Sequence, residues 1–288
     1  MTRVRKYSYE PTFIILFLAG FILVALSVSY VVYFRTTPED LITESADTLS
    51  ESLKIALYSD SGASETSVRA LEAMFLWMNH TVILVDADHI NNKGLSGFSV
   101  LCVPGGDMYQ YSRSISLRGK ENIRVFIRRG GGYIGVCGGA YFASERVVWQ
   151  GRQLPMTPLR IFPGEAEGPS NDIAPYPNYT VCRCNIVDHS HPITESEPES
   201  VWILYCWGPV LKPRADSGVT ILGRYEGIDQ PSIVVFGYGD GRVFLIGTHP
   251  EIEEDSDRDL SDFADECDDR GSDWPLMKKA VNWLLEKR

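Results

Sequence analysis

Positive charge is scarce in this chain. Its 288 residues include 27 Lys and Arg against 38 Asp and Glu, with five His, and the formal net charge at pH 7 is −11. Residues 1–35 carry a net charge of +3, which leaves −14 on the rest of the chain. So acidic a surface repels phosphate backbones and anionic lipid headgroups. The composition therefore excludes nucleic acid as an expected partner.

Cysteine is also scarce, and its spacing does not match a structural zinc site. Such a site needs two short-spaced pairs of Cys or His ligands, and the Cys182–Cys184 pair has no second Cys pair to complete it. We therefore expect no metal and no other cofactor. The six cysteines are Cys102, Cys137, Cys182, Cys184, Cys206 and Cys267.

Charge is missing altogether between Pro11 and Phe34. About 20 apolar residues are enough to cross a bilayer, whereas a cleaved signal peptide has an apolar stretch of roughly 7–15 residues. We therefore predict a transmembrane helix at residues 12–34, after a cytoplasmic N-terminus at residues 1–11. A signal peptide is the alternative, and a buried core helix is disfavoured because the segment has no polar face.

The charges that flank this segment predict its orientation. Arg3, Arg5 and Lys6 precede it, and an acidic, polar linker at residues 35–52 follows it. The positive-inside rule then gives a single-pass membrane protein with its domain outside the cytoplasm. In that compartment the chain could form disulfides, although the sequence does not indicate a pairing. The cysteines concerned are Cys182, Cys184, Cys206 and Cys267.

Residues 53–288 alternate strand and helix patterns in their first half. Apolar periodicity predicts strands at 53–58, 81–86 and 99–103, and helices at 65–78, 122–129 and 274–285. The second half contains further strands that are separated by short turns. This order predicts an α/β fold of the flavodoxin-like type, a doubly wound and mostly parallel sheet with an antiparallel extension.

The most informative stretch is Tyr133–Tyr141, with the sequence YIGVCGGAY. An apolar strand breaks at Cys137 and continues as a helix, which is the pattern of a nucleophile elbow with Cys in place of Ser. Glycines flank the bend because a strained turn leaves no room for a Cβ atom. At the start of a helix the positive end of the peptide dipoles favours a thiolate. We therefore predict that Cys137 is a nucleophile; a buried core cysteine is the alternative.

A second motif supplies the groups that such a cysteine needs. A predicted strand ends in the sequence GTHPE at residues 247–251. His249 is the expected base, and Glu251 is expected to orient it. A third strand ends in Pro104-Gly105-Gly106. Because parallel strands end at the same edge of a sheet, we expect these three motifs to converge.

Twelve acidic residues lie between Glu251 and Asp273. Carboxylates are ligands for hard cations such as calcium, but the spacing here fits no EF-hand. We expect instead a solvated acidic loop beside the site, which would repel anionic substrates.

Taken together, the motifs resemble the glutamine-amidotransferase-like superfamily of class I type. The superfamily resemblance lies in VPGGD at 103–107, the elbow at 130–144 and GTHPE at 247–251. The segment at 154–169, with LP, FPG and GP, and the YCWGP stretch at 205–209 resemble the N-terminal domain of eukaryotic biotin-protein ligases. The resemblance covers about residues 53–288.

This resemblance implies a set of site residues. Cys137 would be the nucleophile, His249 the base and Glu251 the orienting acid. The backbone N–H groups of Gly106 and Gly138 would form the oxyanion hole. We add Gly105 and Tyr58 as predicted substrate contacts. The His-Pro-Ile sequence at 191–193 resembles a turn that is common in the superfamily, so His189 and His191 are not expected to bind a metal.

Two functions remain open on the sequence alone. The first is a membrane-tethered, Cys-dependent hydrolase or amidase that acts on an unknown small molecule or amide. The second is a catalytically silent module that binds a ligand or partner. The 288 residues contain no biotin-ligase catalytic domain and no ammonia-acceptor domain, so we expect a stand-alone member of the family. The presence of Cys, His and Glu together favours the first function.

Overall fold

The computed structural model describes residues 53–254, 256–268 and 270–286. They belong to one compact unit that begins at Leu53. The predicted cytoplasmic N-terminus, transmembrane helix and linker lie outside the described residues. Within the described ranges, no helix is both long enough and apolar enough to cross a membrane.

The described residues contain thirteen strands and five α-helices. The strands are β1 (Lys54–Tyr58), β2 (Thr81–Val85), β3 (Val100–Val103), β4 (Gly132–Val136), β5 (Ser144–Trp149), β6 (Arg152–Gln153), β7 (Phe162–Gly168), β8 (Thr180–Ile186), β9 (Ser200–Tyr205), β10 (Val210–Pro213), β11 (Thr220–Tyr225), β12 (Gln230–Tyr238) and β13 (Gly241–Ile246). The helices are α1 (Glu65–Trp77), α2 (Met108–Ser114), α3 (Leu117–Arg128), α4 (Gly138–Ala143) and α5 (Trp274–Leu285).

The larger sheet has nine strands in the order β2-β1-β3-β4-β13-β12-β11-β8-β9. The first five strands are parallel. From β13 onward every neighbouring pair is antiparallel. The predicted α/β class, with a mixed sheet and an antiparallel extension, is confirmed.

Alternate residues of the central strands pack into two separate hydrophobic cores. In β1, Ile55 and Leu57 pack in the core that includes the apolar faces of α1 and α5. Ala56 and Tyr58 face the opposite side and pack in the core that includes Ile123 of α3. Strands β3 and β4 are buried along their whole length, as expected for parallel strands that are covered on both faces.

A second, four-stranded sheet has the order β10-β7-β5-β6. Our sequence analysis did not predict it, because β7 has the sequence FPGEAEG, whose Pro, Gly and Glu disfavour strands. Strand β7 nevertheless alternates buried and half-buried residues. Its pairing with β5 and β10 supplies the backbone hydrogen bonds that its own sequence does not signal.

Close backbone approaches lock the antiparallel extension onto the parallel strands. A Cβ atom added to Gly208, just after β9, would lie 1.6 Å from the carbonyl oxygen of Gly247, just after β13. The oxygen is a backbone atom, so it cannot rotate away. Residue 208 must therefore be glycine for the GTHPE segment to take its place.

We expect Gly208→Ala to lower the free energy of unfolding by about 1–3 kcal/mol, the usual cost of overpacking. In a domain of this size that is roughly 2–12 °C in melting temperature. Gly218→Ala is the control, because a Cβ atom at Gly218 meets no atom within 4 Å and only the positive φ of 72° opposes it. Melting temperatures of the two variants that are equal would contradict the packing account.

Candidate active site

Cys137 occupies a strained turn between β4 and α4. Its φ of 45° and ψ of −98° lie in a region that L-residues rarely adopt. A Cβ atom on Gly138 would lie 2.3 Å from the carbonyl oxygen of Gly106, and one on Gly139 would lie 2.1 Å from that of Val103. The elbow sequence therefore needs its two following glycines. Helix α4 has only six residues, so the macrodipole invoked from the sequence is small here.

His249 and Glu251 lie just beyond β13 and form a buried pair. The His249 Nδ1 atom is 2.9 Å from Oε1 of Glu251, and the Glu251 side chain is fully buried. The backbone N–H of His249 donates to the carbonyl of Leu204 at 2.8 Å. The indole N–H of Trp274 donates to the carbonyl of Glu251 at 3.1 Å. These bonds fix both residues of the pair from β9 and α5.

Ser67, on the buried face of α1, is a member of the site that the sequence analysis missed. Its hydroxyl donates to Oε1 of Glu251 at 2.6 Å and accepts from the backbone N–H of Gly105 at 2.9 Å. One hydroxyl therefore connects the carboxylate to the loop that carries Gly106. One sequence feature could have pointed to Ser67: it directly precedes Val68, which lies on the apolar face of the predicted helix.

The surroundings of His249 favour its protonated form. Burial opposes the charge, but the neighbouring Cys137 and Glu251 together outweigh it and raise the pKa of His249 well above its ordinary value of 6.5. At Cys206 the surroundings favour the neutral form instead, because burial raises the pKa of its thiol to about 11. The Cys137 thiol lies against Cys206, with its Sγ 3.5 Å from the Cys206 carbonyl oxygen.

Two unpaired backbone N–H groups lie beside the thiol. Those of Gly106 and Gly138 make no hydrogen bond within the described part of the chain. The two glycines are in close contact, because the Cβ position of Gly138 lies 2.7 Å from the Gly106 nitrogen. The structure thus brings together the two residues that we predicted for an oxyanion hole, with their donors available.

The two predicted substrate contacts, Gly105 and Tyr58, lie in different places relative to the site. Gly105 lies next to the imidazole, since a Cβ atom there would be 2.5 Å from Cε1 of His249. Tyr58 does not reach the site. Its ring is fully buried against Tyr111 at a centroid distance of 5.3 Å. Tyr58 does not line the cavity, and its hydroxyl donates to the carbonyl of Ser61 at 3.2 Å.

A cavity of about 680 Å³ opens onto these groups. Cys137, His249, Ser67 and Gly106 line it together. Its volume is within the usual range of small-molecule sites. The rest of the lining is mainly aromatic and aliphatic, from Met108, Tyr109, Tyr141, Trp149, Leu154, Tyr176, Trp207, Ile252 and Phe263.

The acidic segment after Glu251 is not the fully solvated loop that we predicted. Among its described acids, five are buried: Glu251, Glu253, Glu254, Asp259 and Asp273. Glu253 pairs with Arg258 and accepts from the Ser272 hydroxyl at 2.7 Å. Asp259 accepts from the backbone N–H groups of Glu253 and Ser261, both at 3.0 Å. Part of the acidic segment is therefore internal structure.

Other sequence candidates remain outside the cavity. The Nδ1 atom of His191 accepts from the backbone N–H of Ile193 at 3.2 Å, and His189 lies 3.7 Å from Glu199. Within the described ranges, no group of three His, Cys, Asp or Glu residues has metal-binding geometry. All six cysteines are free thiols in this structure.

We expect Ser67→Ala to slow alkylation of Cys137 by about tenfold and to destabilise the fold by about 1–3 kcal/mol. The loss leaves the buried N–H of Gly105 without a partner and removes one of the two contacts of Oε1 of Glu251, which keeps only His249. Ser232→Ala is the matched control, because the buried Ser232 hydroxyl makes no hydrogen bond to the described residues. Labelling with iodoacetamide, followed by mass spectrometry, measures the rate. Equal rates for both variants would show that Ser67 does not position the site.

The chain matches a known family over most of its described length. Residues 53–272 match the family described as "Biotin-protein ligase, N terminal". The chain is 26% identical over 219 residues to the biotin–protein ligase of Schizosaccharomyces pombe, covering 69% of this chain and 33% of that protein. It thus spans about a third of that relative's length. It is 30% identical over 211 residues to an uncharacterized protein of Chlamydia muridarum, covering 69% of this chain and 80% of that one.

Solved structures show the same fold at low sequence identity. A ThuA-like protein from Bacteroides uniformis superposes with a TM-score of 0.52 and 14% identity, over 81% of this chain and 91% of that one. A second ThuA-like protein, from Parabacteroides merdae, superposes with a TM-score of 0.51 and 13% identity, over 82% of this chain and 90% of that one. The family match, which extends from β1 to the segment just before α5, shows that this chain belongs to the biotin-protein ligase N-terminal family.

Proposed function

We propose that this chain is a Cys-dependent amidase. The observation that carries the proposal is the strained Cys137 elbow, which faces the same cavity as an imidazole held by a buried carboxylate. Strain of this kind is retained where it serves function. A reactive Cys, a His and an orienting acid are the groups that nucleophilic acyl transfer requires. The motif resemblance to glutamine-amidotransferase-like proteins supports the same chemistry.

The first half of the proposed reaction forms a thioester. The Cys137 thiolate attacks the amide carbonyl carbon, and a C–S bond forms as the carbonyl oxygen gains negative charge. The N–H groups of Gly106 and Gly138 stabilise that oxygen, because they are preorganised and unpaired. His249 then donates its proton to the leaving nitrogen, and the C–N bond breaks to release an amine.

The second half returns the enzyme to its starting state. Once His249 has given its proton to the leaving amine, its neutral imidazole can accept another one, and consumption of the thiolate removes one of the two negative charges that raised its pKa. The imidazole removes a proton from a water molecule that attacks the thioester carbonyl. The C–S bond breaks, a carboxylic acid leaves, and the proton returns the pair to its thiolate–imidazolium form.

We also propose that residues 12–34 anchor the protein in a membrane, with the domain on the side away from the cytoplasm. The support is the uncharged run from Pro11 to Phe34 and the positive residues before it. Protease added to intact cells should remove the domain and leave a short membrane-bound stub. Protection of the domain until the membrane is lysed would reverse the orientation, and extraction of the whole chain by alkaline carbonate would contradict the anchor.

The amidase proposal predicts selective labelling of Cys137. In the full-length chain at pH 7, iodoacetamide should alkylate Cys137 at least about tenfold faster than Cys206, whose thiol lines the same cavity but has a pKa of about 11. His249→Ala should remove most of this advantage, because the imidazolium partner is lost. Rates are measured by mass spectrometry of tryptic peptides.

The labelling experiment separates the amidase from a silent binding module. Cys137→Ala should abolish hydrolysis of any amide that the wild-type chain cleaves, and Glu251→Gln should reduce it by about 10²–10⁴-fold. Alkylation of Cys137 no faster than that of Cys206, or a rate that His249→Ala leaves unchanged, would refute the amidase and favour the binding module.

A further inference from the structure

A continuous row of aromatic rings forms one wall of the cavity. The ring centroids of Tyr141 and Trp149 are 5.8 Å apart, those of Trp149 and Tyr176 are 6.0 Å apart, and those of Tyr176 and Trp207 are 5.1 Å apart. All four residues line the cavity. Neighbouring rings at these distances stabilise one another and present a broad apolar surface.

The row is fixed at its Trp207 end. Trp207 directly follows Cys206, whose carbonyl oxygen contacts the Cys137 thiol. Its backbone has a φ of 61°, its indole N–H donates to the carbonyl of Asn178 at 3.1 Å, and its own carbonyl accepts from the Tyr141 hydroxyl at 3.0 Å. A bulky residue with positive φ is rare and is held by its surroundings. The aromatic surface is therefore preorganised beside the nucleophile.

The described residues that line the cavity include an acid but no Lys or Arg. Asp107 lines it, and its carboxylate is engaged at the start of α2, where it accepts from the backbone N–H groups of Tyr109 and Gln110. Among the described residues, neither Lys nor Arg lines the cavity. Of the described residues that line the cavity, His249 alone can carry positive charge, and it is paired with Glu251. A carboxylate on a ligand would thus find neither Lys nor Arg among the described lining residues, and the Asp107 carboxylate would repel it.

We infer that the substrate of this site is an amide that carries an aromatic or other large apolar group and no anionic group. The inference rests on the proposed amidase function and names its substrate class. Stacking on the row Tyr141–Trp149–Tyr176–Trp207 would hold the apolar group while the amide carbonyl reaches Cys137. Free glutamine does not fit this class, because its α-carboxylate would meet no Lys or Arg among the described lining residues.

Three matched chloroacetamides test the substrate class on the full-length chain. N-(2-phenylethyl)chloroacetamide carries an aromatic group, N-chloroacetylglycine carries a carboxylate, and chloroacetamide itself carries neither. Each alkylation rate of Cys137 is divided by the rate of the same probe with free glutathione, which removes intrinsic reactivity. We expect the corrected rate to be at least about tenfold higher for the aromatic probe than for chloroacetamide, and lower for the anionic probe.

Single variants show whether the aromatic row causes the preference. Tyr176→Ala removes a partly exposed ring from the middle of the row and should cut the ratio of the corrected rate of the aromatic probe to that of chloroacetamide several-fold. Tyr238→Ala is the matched control. Tyr238 is the last residue of β12, and its ring packs beside Arg128. It does not line the cavity, so this variant should retain the full preference for the aromatic probe.

The outcomes separate this inference from the amidase proposal. If no probe alkylates Cys137 faster than Cys206, the amidase proposal itself fails. If Cys137 reacts selectively but the three corrected rates are equal, or the anionic probe is fastest, only the substrate class is overturned. Release of glutamate from free glutamine, by the wild-type chain but not by Cys137→Ala, would also overturn it.

Discussion

One buried carboxylate oxygen organises this site. Oε1 of Glu251 contacts Nδ1 of His249 and accepts a hydrogen bond from the Ser67 hydroxyl. Helix α1 and the segment after β13 therefore meet at a single atom, and the Ser67 hydroxyl connects that atom to the loop after β3 through the N–H of Gly105. An unpaired buried charge is expensive, whereas one that is hydrogen-bonded and paired is tolerated. The site is thus held together by the same interactions that make burial of Glu251 possible.

The backbone also approaches itself closely around Cys137. Gly106 and Gly138 touch with no room for a side chain, and Gly208 packs in the same way on the carbonyl of Gly247. Each contact joins the end of one strand to the end of another, so a shift at any of them would move the thiol relative to the imidazole. The two free N–H groups beside the thiol are a consequence of the same packing, because the elbow has no internal acceptor for them.

Much of this arrangement is readable from sequence, for identifiable physical reasons. Buried parallel strands and amphipathic helices have strong periodicity, and α5 begins and ends at the predicted residues 274 and 285. The pairing of His249 with Glu251 followed from spacing on one strand end. The contact of Ser67 with Glu251 could not be predicted in this way. A lone serine on a helix has no local pattern, and only the tertiary fold brings it to Glu251. The smaller sheet escaped prediction because β7 has Pro, Gly and Glu at strand positions. Tyr58 was misplaced because its ring packs against Tyr111 in the core and does not line the cavity.

The central claim is that Cys137 and His249 form a charged pair that Glu251 supports, and the protonation state of His249 tests it most directly. The chain has five His, so selective labelling of their imidazole nitrogens allows NMR titration of each ring, with the His249→Gln variant assigning its signal. The account predicts that the His249 ring keeps its proton well above pH 6.5, and that Cys137→Ala lowers its pKa because a neighbouring negative charge is removed. A His249 ring that loses its proton at or below pH 6.5 in the wild-type chain, or a His249 pKa that Cys137→Ala leaves unchanged, would contradict the account.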